Sequence, residues 1–125
     1  MVENNIYKIL RTHEWEDASQ TGSILSEVDT KDGFIHLSTA VQLAATLSFF
    51  FKDSETVFLL QLDIEKIDLN KLIFEEPYPN DSLRKGSFPH LYFELIKDQI
   101  SKVWTLERGA FSLPQEVILQ AENVT

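Results

Sequence analysis

The sequence predicts an α+β fold built on a mixed or antiparallel sheet with two or three short helices. Three observations carry this expectation. Stretches with strand character outnumber helical ones, several of them adjoin directly with no room for a helical crossover, and one segment alone carries a broad helical stripe. A chain of 125 residues suits one hydrophobic core. The domain is expected to run over 1–112, with 113–125 as a C-terminal tail.

Residues 6–10, Ile6-Tyr7-Lys8-Ile9-Leu10, mix aromatic and β-branched side chains and predict a first strand. Thr12 is the expected cap of a helix over 13–20, with Glu14, Glu16 and Asp17 where the helix dipole favours acids. Gly22 ends it. The polar stretch 23–31 reads as turn-like, anchored by Ile24 and Leu25. Gly33-Phe34-Ile35-His36-Leu37-Ser38-Thr39 then reads as a short strand, with Phe34, Ile35 and Leu37 buried, turning into a helix capped by Ser38 and Thr39. In that helix Ala40, Leu43, Ala44, Leu47, Phe50 and Phe51 recur at helical spacing, and Phe49, Phe50 and Phe51 are expected in the core.

Residues 56–63 form the strongest strand pattern, apolar nearly throughout, and are expected to be central and covered on both faces. A turn over 64–71 leads to a strand at 72–75. The stretch 78–87 has turn chemistry, either a lid or a plain connector, and Arg84 and Lys85 give it local positive charge. Phe88-Pro89-His90-Leu91-Tyr92 is extended, since Pro89 restricts the residue before it. A helical turn near 96–101 and a last strand at 103–107 follow. Phe111 and Leu113 are candidate core anchors, and 115–120 is an edge strand or a short helix.

Composition removes several function classes. The formal charge of −9 repels phosphate backbones and anionic lipid, against general nucleic-acid or membrane-surface binding. The lack of cysteine rules out thiolate chemistry and fits a cytoplasmic location. The first residues carry no signal-peptide pattern, and no run of about 18 apolar residues occurs. Glycine-rich phosphate loops, the G-x-S-x-G elbow and H-E-x-x-H are all missing.

Two of the three histidines, His36 and His90, stand among large apolar residues in predicted strands. One such histidine is ordinarily a satisfied core residue; two point to a shared cleft. His36 at a strand end, beside hydroxyls at a helix start, suits a ligand with ribose or phosphate oxygens. His36, His90 and Glu75 would also satisfy zinc chemistry, but they come from separate strands without tight spacing, so no metal site is expected.

Ile6-Tyr7-Lys8-Ile9, Trp15, Asp32-Gly33-Phe34-Ile35-His36-Leu37-Ser38-Thr39, Phe74-Glu75 and Phe88-Pro89-His90-Leu91-Tyr92 together resemble the signature of domain-of-unknown-function family 952 over about residues 5–107. The resemblance extends to the ADP-ribosyltransferase-like superfamily, beside the RNA 2′-phosphotransferases that use NAD. It implies a split β-sheet with an NAD cleft, with His36 against the nicotinamide or ribose and Ser38 and Thr39 shaping the wall. The His-Gly pair that the superfamily carries in its first strand is replaced here by Ile6-Tyr7-Lys8-Ile9, and the phosphotransferase arginines have no counterpart beyond Arg11, Arg84 and Arg108.

The candidate catalytic residues are therefore His36, His90 and Glu75, the last as the carboxylate facing an oxocarbenium-like ribose. Lys8, Ser38, Thr39, Arg84 and Tyr92 are the candidate NAD-binding residues. Lys8 is either a substitute donor or an exposed strand lysine, and Glu75 either this carboxylate or a solvated strand-end acid. The functions implied are an NAD-dependent ADP-ribosyltransferase-like or NAD-hydrolysing enzyme, a non-catalytic module for a nucleotide-like metabolite, or a metal-dependent hydrolase.

Overall fold

The computed structural model describes residues 5–76, 86–107, 114, 117, 119 and 120. Its strands are β1 (Ile6–Arg11), β2 (Ile35–His36), β3 (Ser38–Thr39), β4 (Thr56–Leu62), β5 (Leu72–Glu75), β6 (Phe88–Leu91) and β7 (Ile100–Glu107). Its α-helices are α1 (Thr12–Thr21), α2 (Glu27–Asp32) and α3 (Leu43–Phe50). Every pairing among the named strands is antiparallel: one sheet runs β3-β1-β4-β7, the other β2-β6-β5. The fold is thus α+β, as the strand-rich pattern predicts.

The two-residue period of a strand sorts the core. On one face of β1 and β4, Ile6, Leu10, Leu60 and Leu62 join Ile35, Leu37, Leu91 and Leu95 in a first cluster. On the other face, Tyr7, Ile9, Val57 and Leu59 pack with Ala40, Leu43, Leu47 and Phe51 from the α3 side. Strand β4 is therefore central and covered on both faces. Val117 is fully buried in this second cluster, and the Tyr7 hydroxyl donates to Gln120, so this part of 113–125 packs on the core. Val117, Leu119 and Gln120 are helical.

Several local expectations are corrected. Helix α1 takes Arg11 as its cap, not Thr12, because the Glu14 carboxylate reaches back to accept from the Arg11 N–H at 2.8 Å. Gly22 does end it, at φ 80° in the left-handed region, donating to the Ala18 carbonyl. The stretch 23–31 is not turn-like throughout but holds most of α2. There Ser26 caps the Asp29 N–H, and the Asp29 carboxylate caps the Ser26 N–H in return. Ile24 is buried, but Leu25 is exposed. Ser38 and Thr39 form a strand paired with β1 before a short 3-10 turn at Ala40–Gln42, not a direct cap on α3. Of the three phenylalanines only Phe51 is buried, since Phe49 and Phe50 fall on the solvent side of the stripe with Ala44. The last strand starts earlier than expected, at Ile100. Arg84, Lys85, Phe111, Leu113 and most of 78–87 lie outside the described residues. Among the described residues no helix is long and apolar enough to cross a membrane.

Candidate functional site

The three-stranded sheet has an inner and an outer face. Ile35, Leu91 and Leu72 point into the first core cluster. The alternate positions therefore put His36, His90, Ile73 and Glu75 on the opposite face. His36 and His90 are direct cross-strand partners, with ring centroids 5.5 Å apart. Phe34, expected in the core, is only half-buried. It lies on this outer face with its ring 4.4 Å from that of His36, 4.2 Å from His90 and 5.2 Å from Tyr92. A cluster of four flat rings results, closed at one end by Glu75.

Glu75 holds this end together. His90 Nδ1 lies 2.7 Å from Glu75 Oε1, and the Tyr92 hydroxyl donates to the same oxygen at 2.7 Å. The Tyr92 bond, with the His90 bond next, holds the Glu75 carboxyl below its ordinary value, and the same contact with Glu75 raises the Tyr92 phenol. Glu75 is thus ionised at neutral pH. Its side chain is 39% exposed while that of His90 is 9% exposed, so the pair lies at the boundary between core and water. The Lys8 ammonium does not meet Glu75; it is bonded to Asp29.

His36 is held from two sides by α2. Asp29 Oδ1 accepts from the His36 backbone N–H at 2.8 Å and lies 2.8 Å from Nδ1, while Asp32 Oδ2 lies 2.9 Å from Nε2. Behind Asp29 stands Lys8. Between Ile6 and Leu10 on β1, its side chain enters the apolar cluster and is 3% exposed, so its ammonium needs a buried counter-charge. It finds one at 2.7 Å in Asp29 Oδ2, and it also donates to the His36 carbonyl and to Ser26 Oγ. Burial pushes the Asp29 carboxyl up, but the His36 and Lys8 contacts more than offset this and lower it to about 2. Burial pulls the Lys8 ammonium down, against the attraction of Asp29 and Glu14.

The structure thus brings together His36, His90, Glu75 and Tyr92 on one face. Lys8 is neither an exposed strand lysine nor on that face; it lies beneath His36. Ser38 and Thr39 are buried in β3, where Ser38 Oγ faces Thr46 Oγ1 at 3.5 Å. His13 is exposed beside Glu27. Among the described residues no three histidine or acidic side chains are arranged to hold a metal ion. Sequence reasoning missed Asp29, Asp32 and Phe34. The spacing Ser26-x-x-Asp29, followed by Gly33, was the available signal, a short capped helix that would have placed both acids beside the next strand.

The family model described as "Protein of unknown function (DUF952)" matches residues 9–103. No curated protein matches the chain. The crystal structure of protein CC0527 from Caulobacter crescentus is similar at a TM-score of 0.74 and 32% identity, over 94% of this chain and 98% of that one. A double mutant of the same Caulobacter crescentus protein gives 0.74 and 31%, with the same coverage. Its solution NMR structure gives 0.68 and 31%, over 86% and 90%.

Proposed function

The chain belongs to the DUF952 family of proteins of unknown function, and on that premise we propose that it is an NAD-using enzyme of the ADP-ribosyltransferase type, acting at the face of Phe34, His36, Glu75, His90 and Tyr92. The observation that carries the reading is an ionised Glu75 fixed by two donors at the edge of a cluster of flat rings. Cleaving the ribose–nicotinamide bond leaves the electron pair on nicotinamide and positive charge on the sugar. A partly desolvated carboxylate, already oriented, stabilises that charge without reorganising. Phe34, His36 and Tyr92 offer planes against which a nicotinamide or adenine ring stacks. Water or an acceptor hydroxyl then bonds to C1′ and gives up its proton, for which His90, bonded to the same carboxylate, is the acid–base candidate. Two separate antiparallel sheets support the split-sheet architecture that the resemblance implies.

A second reading, a binding module without catalysis, is favoured by one feature. The first strand offers no His-Gly pair to a ribose, and the residue it sends toward His36, Lys8, is buried on Asp29. Incubation with NAD separates the two. The enzyme releases nicotinamide and loses that release in Glu75→Gln; the module binds ADP-ribose and releases nothing. Protein that neither binds ADP-ribose nor consumes NAD contradicts both.

A further inference from the structure

We infer that Lys8 and Asp29 are positioning residues for His36: they fix a proton on its Nδ1 and leave Nε2 as the ring nitrogen that meets ligand, at the place where Asp32 now stands. Asp29 is fully buried and has no freedom to leave. Oδ2 is tied to Lys8 and to the Ser26 N–H, and Oδ1 is tied to the His36 backbone N–H and ring. A carboxylate so committed only accepts, so the ring nitrogen facing it carries hydrogen. The Nε2 side differs. Its partner Asp32 is 38% exposed and is the last residue of α2, the helix end where the dipole disfavours an acid. Asp32 gains nothing from its own helix there; what it meets is the imidazole.

With hydrogen already fixed on Nδ1, it is the ring with a second hydrogen, on Nε2, that donates to Asp32, and an anionic oxygen such as a phosphate's competes for that same donor. Asp32 then stands in for ligand and is displaced by it. Among the described residues, the charged and titratable groups facing His36 are Asp29 and Asp32 from α2, Lys8 from β1 and His90 from β6. The role of Nε2 rests on reading this face as the ligand site; the tautomer does not.

The test begins with wild-type protein and 15N NMR of the His36 ring, at a pH where the ring is neutral. The expected result is hydrogen on Nδ1; hydrogen on Nε2 overturns the proposal. The double variant Lys8→Met/Asp29→Asn removes the buried charges together, and in it the Nε2–H form is expected to appear. A ring spectrum unchanged from wild type denies Lys8 and Asp29 their role. Because the wild-type spectrum needs no variant, a double variant that fails to fold does not shield the proposal. Inorganic pyrophosphate is then titrated into wild type and Asp32→Ala at a lower pH, where the His36 ring carries hydrogen on both nitrogens. Binding about fivefold tighter than wild type is expected from loss of the competitor, and equal or weaker binding contradicts the ligand-facing role of Nε2. Failure to release nicotinamide would sink the enzyme reading alone and leave the tautomer result standing.

Discussion

The imidazoles of His36 and His90 face one another across β2 and β6, 5.5 Å between centroids and 62° between planes, with the Phe34 ring against both. The two rings share no acid: His36 is tied to Asp29 and Asp32, His90 to Glu75. One face therefore carries two histidine–carboxylate units with separate supports.

His36→Ala and His90→Ala each weaken ADP-ribose binding about tenfold, roughly 1.4 kcal/mol. Because the rings are neighbours, the double variant loses less than the sum. Isothermal titration calorimetry reads both effects. Unchanged affinity in both single variants would remove the face from consideration.

Glu75→Gln slows nicotinamide release about 100-fold, the scale of removing one preorganised electrostatic group, while ADP-ribose affinity changes little. The same variant lets the Tyr92 phenol ionise at lower pH, because the hydrogen bond and charge of Glu75 are what hold it up. Ultraviolet difference titration of the tyrosines measures this without any ligand. A Tyr92 titration indifferent to Glu75 would deny the contact.

Lys8→Met strands the Asp29 carboxylate in the first core cluster, and urea unfolding is expected to show a loss of about 3–5 kcal/mol. Lys8→Met/Asp29→Asn removes both charges and loses less than Lys8→Met alone. A single variant as stable as wild type would mean that the buried pair contributes nothing.

Asp29 also makes stability depend on pH. Its folded value, about 2, lies below the ordinary 3.8, so the unfolded chain takes up the proton first as pH falls. The contribution, about 2 kcal/mol, is fully present above the unfolded value and is lost as pH drops from about 4 toward 2. In Asp29→Asn that part of the acid slope disappears from urea midpoints measured over this range.

Strand identity was legible in the sequence because β-branched and aromatic residues cluster in β1, β4, β5 and β7; the matching apolar settings of His36 and His90 pointed to a shared cleft, while their direct pairing across β2 and β6 was not legible. The buried network was not. Lys8 reads as a surface residue until Ile6 and Leu10 beside it are known to face a core, and Asp29 reads as one more acid in an acidic stretch. The capping of α2 makes it otherwise: Ser26 and Asp29 satisfy each other's backbone N–H, and the same carboxylate turns on to Lys8 and His36. Periodicity is likewise blind to which side of a stripe meets solvent at its end, hence the exposure of Phe49 and Phe50.

Thermal unfolding of wild type and His36→Ala with ADP-ribose is the most direct trial of the ligand face. At a hundred times the dissociation constant the wild type gains about 2.7 kcal/mol, and at the same concentration the variant gains clearly less. An equal gain in both proteins, or none in wild type, would contradict a nucleotide site at this face.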